Sequence, residues 1–374
     1  MSKDFDVCIR GDGIVGRTLA LLLARQRLRV ALVCDPARAS ATPDVRAYAL
    51  NTASRSLLMQ LRAWPQAAGV TAVSQMQVWG DSDGRLDFNP TDRPAEQASG
   101  DQAALAWIVD VPALEQALSE ALRFAPEVEL MASPDAAHAA LTVVCEGRHS
   151  QSRRDFGVSW TIKPYDQKAV AARLHSDRPH AGVARQWFGQ GEVLGLLPMD
   201  GADAHTLAMV WSVPQSRAQE LQAMTPAALV AALQQVCGDQ AGQLSLCSPV
   251  ASWPLTLCSA QRWVGPGWAL AGDAAHTVHP MAGQGLNLGL ADVNKLAQVL
   301  QAREYWRSLG DEKLLRRYER ARKADVLAMS AVTEGLHSLF APSDSRLQAL
   351  RNWGMKSVAR SGPIKGWLTR RAMG

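Results

Sequence analysis

The tightest constraint on this chain lies near its N-terminus, where a strand-like run, Asp6 to Arg10, enters the glycine-rich turn GDGIVG and then the helix-like run RTLALLLARQR. RVALVCD supplies a second strand, so the segment reads as a βαβ unit. In such a unit Gly11 permits the tight turn, Gly13 lets the backbone approach a pyrophosphate, and Gly16 lets the helix pack on the strand. The helix entrance at Ile14 and Val15 presents amide donors and the positive end of the helix dipole to the phosphate charge. NAD and FAD both fit this turn, and the fold class it announces is α/β.

Further along, helical patterns cover Asn51 to Arg62 and Pro112 to Phe124, the second opened by Asp110 as N-cap with Pro112 in the first turn. From about Gly157 to Trp263 the texture becomes alternating and β-branched, as in KAVAARL, VLGLLPM and TLAMVWSV, with one helical stretch from Thr225 to Val236. Helical spacing returns from Gly285 to Arg303 and dominates the C-terminal region. The dinucleotide domain is thus interrupted by a β-rich one and then resumed.

Composition excludes several classes. With 47% hydrophobic and 20% charged residues the chain is globular, not disordered. Its apolar runs, such as Thr18 to Ala24, fall far short of the roughly 20 residues that span a bilayer, and the N-terminus shows no secretory signal. A cytoplasmic protein is expected. The six cysteines are scattered and read as ordinary buried thiols, and His276 with His279 has no third ligand nearby, so no metal site is expected. No recognition helix or other nucleic-acid motif is present. From Gln301 onward 15 basic residues face 7 acidic ones, and from Arg346 seven basic residues interleave with Leu347, Leu350, Trp353, Ile364 and Trp367. This basic amphipathic pattern reads first as a solvated helical face, and second as a dock for an anionic membrane surface or an acidic partner.

The discriminating string is WALAGDAAHTVHPMAGQGLNLGLADV, Trp268 to Val293. It resembles the GDAAHxxxPxxGQGxNxGxxD signature of class A FAD-dependent aromatic-ring monooxygenases. Within that superfamily DVRAYALNTASRSLLMQL, LAWIVDVPALEQAL, YDQKAVAARL and the ending RRAMG are similar to the ubiquinone-biosynthesis (polyprenylphenol) hydroxylases. The resemblance implies a discontinuous FAD-binding Rossmann-like domain of the glutathione-reductase type (1–75, 100–156 and 264–305), an inserted β-rich substrate domain (76–99 and 157–263) and a helical C-terminal region (306–374). It implies that Asp273, after Gly272, binds the ribityl chain of FAD, and that Pro280, Gly283, Gln284, Gly285, Leu286 and Asn287 lie against the flavin and pyrophosphate. A helix starting near Gly285 would aim its amides at the flavin pyrimidine. Arg46, on the helix matching DxRxxAL, approaches the ring side, and Glu146 sits in the loop matching ADGxxSxxR.

Five departures from the family pattern fall in the N-terminal half. Glu146 stands where the family has Asp. Cys34 replaces the acid that binds the adenosine ribose, leaving Asp35 as its substitute. Asp12 puts a carboxylate into the phosphate loop, tolerable when it turns to solvent. Val111 and Pro112 replace polar side chains that face FAD in relatives, and the chain between Val128 and Val144 is too short for the β-hairpin and strand that relatives carry before the acidic loop.

The expected activity is hydroxylation of a lipophilic aromatic ring through a flavin C4a-hydroperoxide, with O2 and electrons from NAD(P)H or a reductase, the protein supplying a dry cavity. Trp187, Phe188 and Leu197 are candidates for its wall and equally for core. A soluble aromatic acid is a further substrate class. The departures also fit a family member acting as an accessory subunit of a quinone-biosynthesis complex, peripheral to the inner membrane.

Overall fold

The computed structural model describes residues 3–34, 44–80, 84–92, 104–134, 137–189, 191–201, 203–278 and 285–340. At its base lies a six-stranded sheet in the order β16 (Val264–Gly265), β17 (Trp268–Leu270), β9 (Ala137–Val144), β1 (Lys3–Arg10), β2 (Val30–Val33), β8 (Val128–Met131). All pairings are parallel except β16 on β17. Val7, Ile9, Val30 and Leu32 are fully buried, because α1 (Ile14–Ala24) and α7 (Gly285–Gln301) cover one face and α8 (Glu312–Phe340) packs on α7. The short link between β8 and β9 still delivers both strands to the sheet, so the missing hairpin costs no strand.

A three-stranded sheet of β3 (Ala47–Leu50), β7 (Trp107–Asp110) and β4 (Val70–Ala72) forms a middle layer. Leu50, Trp107 and Val109 turn toward α1, α2 (Thr52–Gln60), α3 (Val111–Leu122) and α7, and Ala47, Ala49 and Ile108 turn the other way. The alternation follows from the two-residue period of a strand. Asp110 caps α3 by accepting from Ala113 N, as expected, and Asn51 caps α2 by accepting from Ser54 N. Val111 is buried in the core of this layer and Pro112 is exposed, which accounts for the apolar pair at that helix start.

The third layer is a nine-stranded sheet ordered β18 (His276–Thr277), β15 (Ala251–Ala260), β10 (Trp160–Ser176), β13 (Thr206–Pro214), β12 (Glu192–Pro198), β11 (Val183–Gly189), β5 (Gln75–Trp79), β6 (Arg85–Phe88), with β14 (Leu244–Leu246) beside β10. Only β11 with β5 is parallel among the pairs that run through its middle. α4 (Gln151–Asp155) leads into β10, while α5 (Gln215–Ala223) and α6 (Pro226–Cys237), the latter capped by Thr225, cover the outer face. Trp187 belongs to that outer core, stacked on Trp79 at 4.7 Å and 6°, so it does not line a cavity facing the six-stranded sheet. Leu197 faces inward, against Ile108 and Ala208. Of the cysteines, Cys8, Cys145, Cys237 and Cys258 are buried as expected, but Cys247 is exposed and Cys34 half-buried.

The layers meet at Val15. Gly289 of α7 approaches it so closely that a Cβ there would lie 2.9 Å from Val15 Cγ2 and 3.4 Å from Gly272 Cα. Neither neighbour is the far end of a flexible side chain, so the helices must part to admit a methyl group. Gly289→Ala is expected to destabilise the protein by about 1–3 kcal/mol, read by urea unfolding; an unchanged midpoint would mean α1 and α7 are not packed this closely.

Candidate functional site

The turn after β1 is built so that only glycine fits. Gly11 has φ +105°, and a Cβ on it would lie 2.5 Å from the Cys145 carbonyl oxygen, while one on Gly16 would lie 1.9 Å from that of Gly11. The ends of β1 and β9 and the start of α1 are thereby drawn together. Gly13 is the N-cap of α1 in an extended conformation, with no side-chain cap and no acidic residue in the first turn. The first-turn amides of Ile14, Val15 and Gly16 therefore keep their capacity for an anion. Asp12 does not turn to solvent, as its charge suggested, but is 8% exposed with its carboxylate 3.4 Å from Arg17 Nη2. Arg17 also donates to the Glu115 carbonyl at 3.0 Å and to Ser119 Oγ on α3, so the loop's charge is countered by its own helix.

Facing this turn is the segment Gly272 to His276. Its anchor is Asp292 on α7, fully buried, which accepts from Gly272 N (3.0 Å), His276 Nε2 (2.6 Å) and Arg322 Nε of α8 (2.8 Å). Burial alone would raise this carboxyl, but the charge of His276, with hydrogen bonds from His276 and Arg322, outweighs it and holds the pKa below the ordinary carboxylate value. His276 is itself buried and stacked on Trp263 at 4.8 Å, so it is a structural partner, and among the described residues no cluster of metal ligands occurs. Asp273, next in the turn, keeps an exposed side chain, yet enough protein surrounds it that desolvation raises its pKa, against the charges of His276, Arg148 and Arg46. The Asp273 carboxylate is thus reached by solvent while protein surrounds it closely. Tyr48 lies on the same side, its phenol pushed up by desolvation, within the fields of Arg46 and Asp273.

Asn287 fastens α7 to the middle layer. Its Oδ1 accepts from Asn51 N (3.0 Å) and Ser54 Oγ (2.7 Å), and its Nδ2 donates to the Ala49 carbonyl (2.8 Å). Its neighbour Leu286 is buried in the core between α2, α3 and α7. Arg46, expected on a helix, instead precedes β3 in extended chain, because Asn51 starts α2 only later. Its guanidinium is held by Asp44, and its carbonyl accepts from Arg173 Nη2 at 2.9 Å, a group that also reaches Asp110 Oδ1 at 2.6 Å. Glu146 has both oxygens engaged, accepting from Ser150 Oγ, Ser152 N and Ser152 Oγ. Arg153 in the same loop donates to the Ala274 carbonyl at 3.1 Å and stacks 3.7 Å over Trp160, tying it to the Asp273 turn.

Asp35, His279, Pro280, Gly283, Gln284 and the basic residues from Arg346 onward lie outside the described residues. Val15 of α1 lies against Gly272 and against Gly289 of α7, so the glycine-rich turn with Gly11, Gly13, Ile14 and Gly16 comes to the same region as Gly272, Asp273 and the start of α7, while Leu286 and Asn287 face the middle layer. Sequence reasoning gave no part to Asp292, although it is the last letter of the quoted signature, nor to Arg322, for which no local signal exists.

The Asp292 arrangement has a measurable consequence. Because its folded pKa is depressed, the stability it contributes is present above the unfolded value of about 3.9 and is lost as pH falls through the folded value. Asp292→Asn is expected to cost about 3–5 kcal/mol at pH 7, since it removes the buried negative charge on which three donors converge and leaves Arg322 only its pair with the exposed Asp325, with the gap to the parent narrowing toward pH 3. Urea titrations at both pH values test this, and a gap independent of pH would refute an ionised Asp292.

Known proteins share this architecture. The FAD-binding-domain family model matches residues 129–333. The ubiquinone hydroxylase UbiL of Rhodospirillum rubrum is 31% identical over 100% of this chain and 90% of its own length, and the 3-demethoxyubiquinol 3-hydroxylase of Escherichia coli is 29% identical over 99% and 98%. Among solved structures, PqsL of Pseudomonas aeruginosa, a probable FAD-dependent monooxygenase, superposes with a TM-score of 0.76 at 23% identity over 94% of this chain and 100% of its own. The p-nitrophenol 4-monooxygenase PnpA of Pseudomonas putida gives 0.78 at 17% over 100% and 99%; these two likenesses speak to fold. By the extent of the family match and by identity to its relatives, this chain belongs to the class A FAD-dependent aromatic-ring monooxygenases, in the company of the ubiquinone hydroxylases.

Proposed function

We propose that this FAD-dependent monooxygenase hydroxylates the ring of a polyprenylphenol intermediate of ubiquinone biosynthesis, taking O2 and electrons from NAD(P)H or a reductase. The observation that carries the reading is the uncapped N-terminus of α1, reached through Gly11 and Gly16 and opposed by Asp273 across the proposed cofactor cleft. These residues fit FAD. The amides of Ile14, Val15 and Gly16 would take the pyrophosphate, Asp273 a ribityl hydroxyl, and Gly285 to Asn287 would present the positive end of α7 to the ring. The bound flavin supplies oxygen activation. The chain's own tasks are to hold the ring, keep water away and position the substrate phenol. Arg46 and Tyr48 stand beside Asp273, and Leu197 with Ala49 and Ile108 offers the apolar surface between the middle layer and the nine-stranded sheet. In this reading the six-stranded sheet is the cofactor half and the nine-stranded sheet the substrate half.

The relatives' names supply the quinone substrate class. Placement at the cytoplasmic face of the inner membrane, or in a biosynthetic complex through the basic C-terminal residues, belongs to the same proposal; no described helix is long and apolar enough to cross a membrane. The accessory-subunit reading draws on Glu146, whose carboxylate is committed to Ser150 and Ser152 instead of standing free.

The deciding experiment is absorption spectroscopy during FAD titration, followed by product analysis with NAD(P)H or a reductase, O2 and a polyprenylphenol. Flavin uptake and a ring-hydroxylated product are expected; uptake without product from any polyprenylphenol overturns the substrate, and no uptake at all favours the accessory reading. Asp273→Asn is expected to weaken FAD binding roughly ten-fold or more. It should not lower apoprotein stability at neutral pH, because a carboxyl whose folded pKa is raised disfavours the fold once ionised.

A further inference from the structure

On the outer face of the nine-stranded sheet, away from the cleft, the ends of β10 and β11 and the turn after α6 enclose a pocket of about 190 Å³, lined by Ser176, Arg178, His180, Arg185, Gln240 and Gly242 among others. This volume is well below the roughly 300–1,000 Å³ of drug-sized sites, so neither a flavin nor a nicotinamide dinucleotide fits. Its chemistry is cationic. Arg185 is half-buried, its Nε is enclosed with no hydrogen-bond partner, and its Nη1 makes only a long 3.5 Å contact with the Val183 carbonyl. No ion pair involving Arg185 occurs among the described residues, and burial lowers its pKa with only the Cys237 thiol acting in the other direction.

A guanidinium taken out of water without a counter-charge is costly, and proteins ordinarily pair it. Among the described residues no carboxylate acts on Arg185, although Asp200 acts on the neighbouring His180 and Asp239 on Cys237. Asp177, beside Arg178, accepts from Gln243 N at 2.7 Å and does not line the pocket. His180 donates through Nε2 to the Met199 carbonyl at 2.7 Å and accepts at Nδ1 from Gly182 N at 3.1 Å, so it is the neutral tautomer and brings no negative charge. Arg178 adds a second cation at the exposed rim.

We infer that this pocket binds a phosphate-class oxyanion, with Arg185 as its buried counter-charge and Arg178 closing over it from the rim. The fork of an arginine matches phosphate oxygens in pairs, and two such forks suit one tetrahedral anion. Either a free phosphate compound or a phospholipid headgroup carries that chemistry. The inference is independent of the reaction proposed for the cleft, since β10 separates the two: Arg173 points to Asp110 on one side while Ser176 reaches the pocket.

The test uses the full-length, flavin-loaded protein and inorganic phosphate as probe, at constant ionic strength with chloride as control. A saturable rise in melting temperature and a calorimetric isotherm are expected with phosphate, weakened about ten-fold or more in Arg185→Gln and less in the rim variant Arg178→Gln. Both variants should keep the parent's flavin spectrum and unfolding midpoint in chloride, which separates loss of the anion from loss of fold. No saturable phosphate effect, or one undiminished in both variants, overturns the site. Co-sedimentation with phosphatidylglycerol vesicles, competed by phosphate and lost in Arg185→Gln, assigns it to a lipid headgroup; phosphate binding without vesicle binding assigns it to a soluble phosphate compound.

Discussion

The wall that faces the glycine-rich turn depends on one buried carboxylate. Asp292 joins three successive elements, namely the turn that carries Asp273, the helix that starts at Gly285 and the helix that carries Arg322. Three donors converge on it in a site without solvent, and that convergence makes an ionised acid tolerable there. Without it the Gly272 amide and the His276 ring would be unsatisfied, and the Asp273 side chain would have no fixed direction. Val15, wedged beside Gly289, plays the steric counterpart, setting how near α1 comes to α7.

A second theme is that the departures from the family pattern are met by local compensation. Asp12 is countered by Arg17 from the next turn, and Val111 is turned into the core. Glu146, a methylene longer than the usual Asp, folds back on Ser150 and Ser152, caps α4, and through Ser152 meets Arg10 Nη1 at 3.0 Å. The added length thus favours an internal lock over an outward reach, because two serines at the start of a helix offer a carboxylate more donors than solvent does.

Much of the fold was legible because it is written in local periodicity. The βαβ opening, the cap at Asp110, the helix near Thr225 and the strands of KAVAARL and TLAMVWSV all occur where periodicity and capping place them. Arg46 was misplaced because the DxRxxAL match carried a helix with it, whereas the local chain stays extended until the Asn51 cap. Trp187, open between cavity wall and core, proves to be core, because strand parity shows which residues share a face but not which face meets the neighbouring layer. Arg322 and Arg173 were invisible for a deeper reason: their partners lie 30 and 63 residues away, and no local pattern encodes a long-range ion pair.

The position of α8 bears on how the protein is made. Tyr318 donates to the Leu270 carbonyl, Glu319 accepts from Trp263 N, and Arg322 completes the Asp292 triad. The glycine-rich turn leaves the ribosome first, but the wall opposite it is finished only when this late helix emerges and docks. At synthesis rates of about 5–20 residues per second, the roughly 300 residues between that turn and Arg322 take about 15–60 s, and for that time the first wall stands without its counterpart. The protein therefore has a vulnerable interval before the cofactor can be retained, a cost of closing a nucleotide fold with its own C-terminal helix.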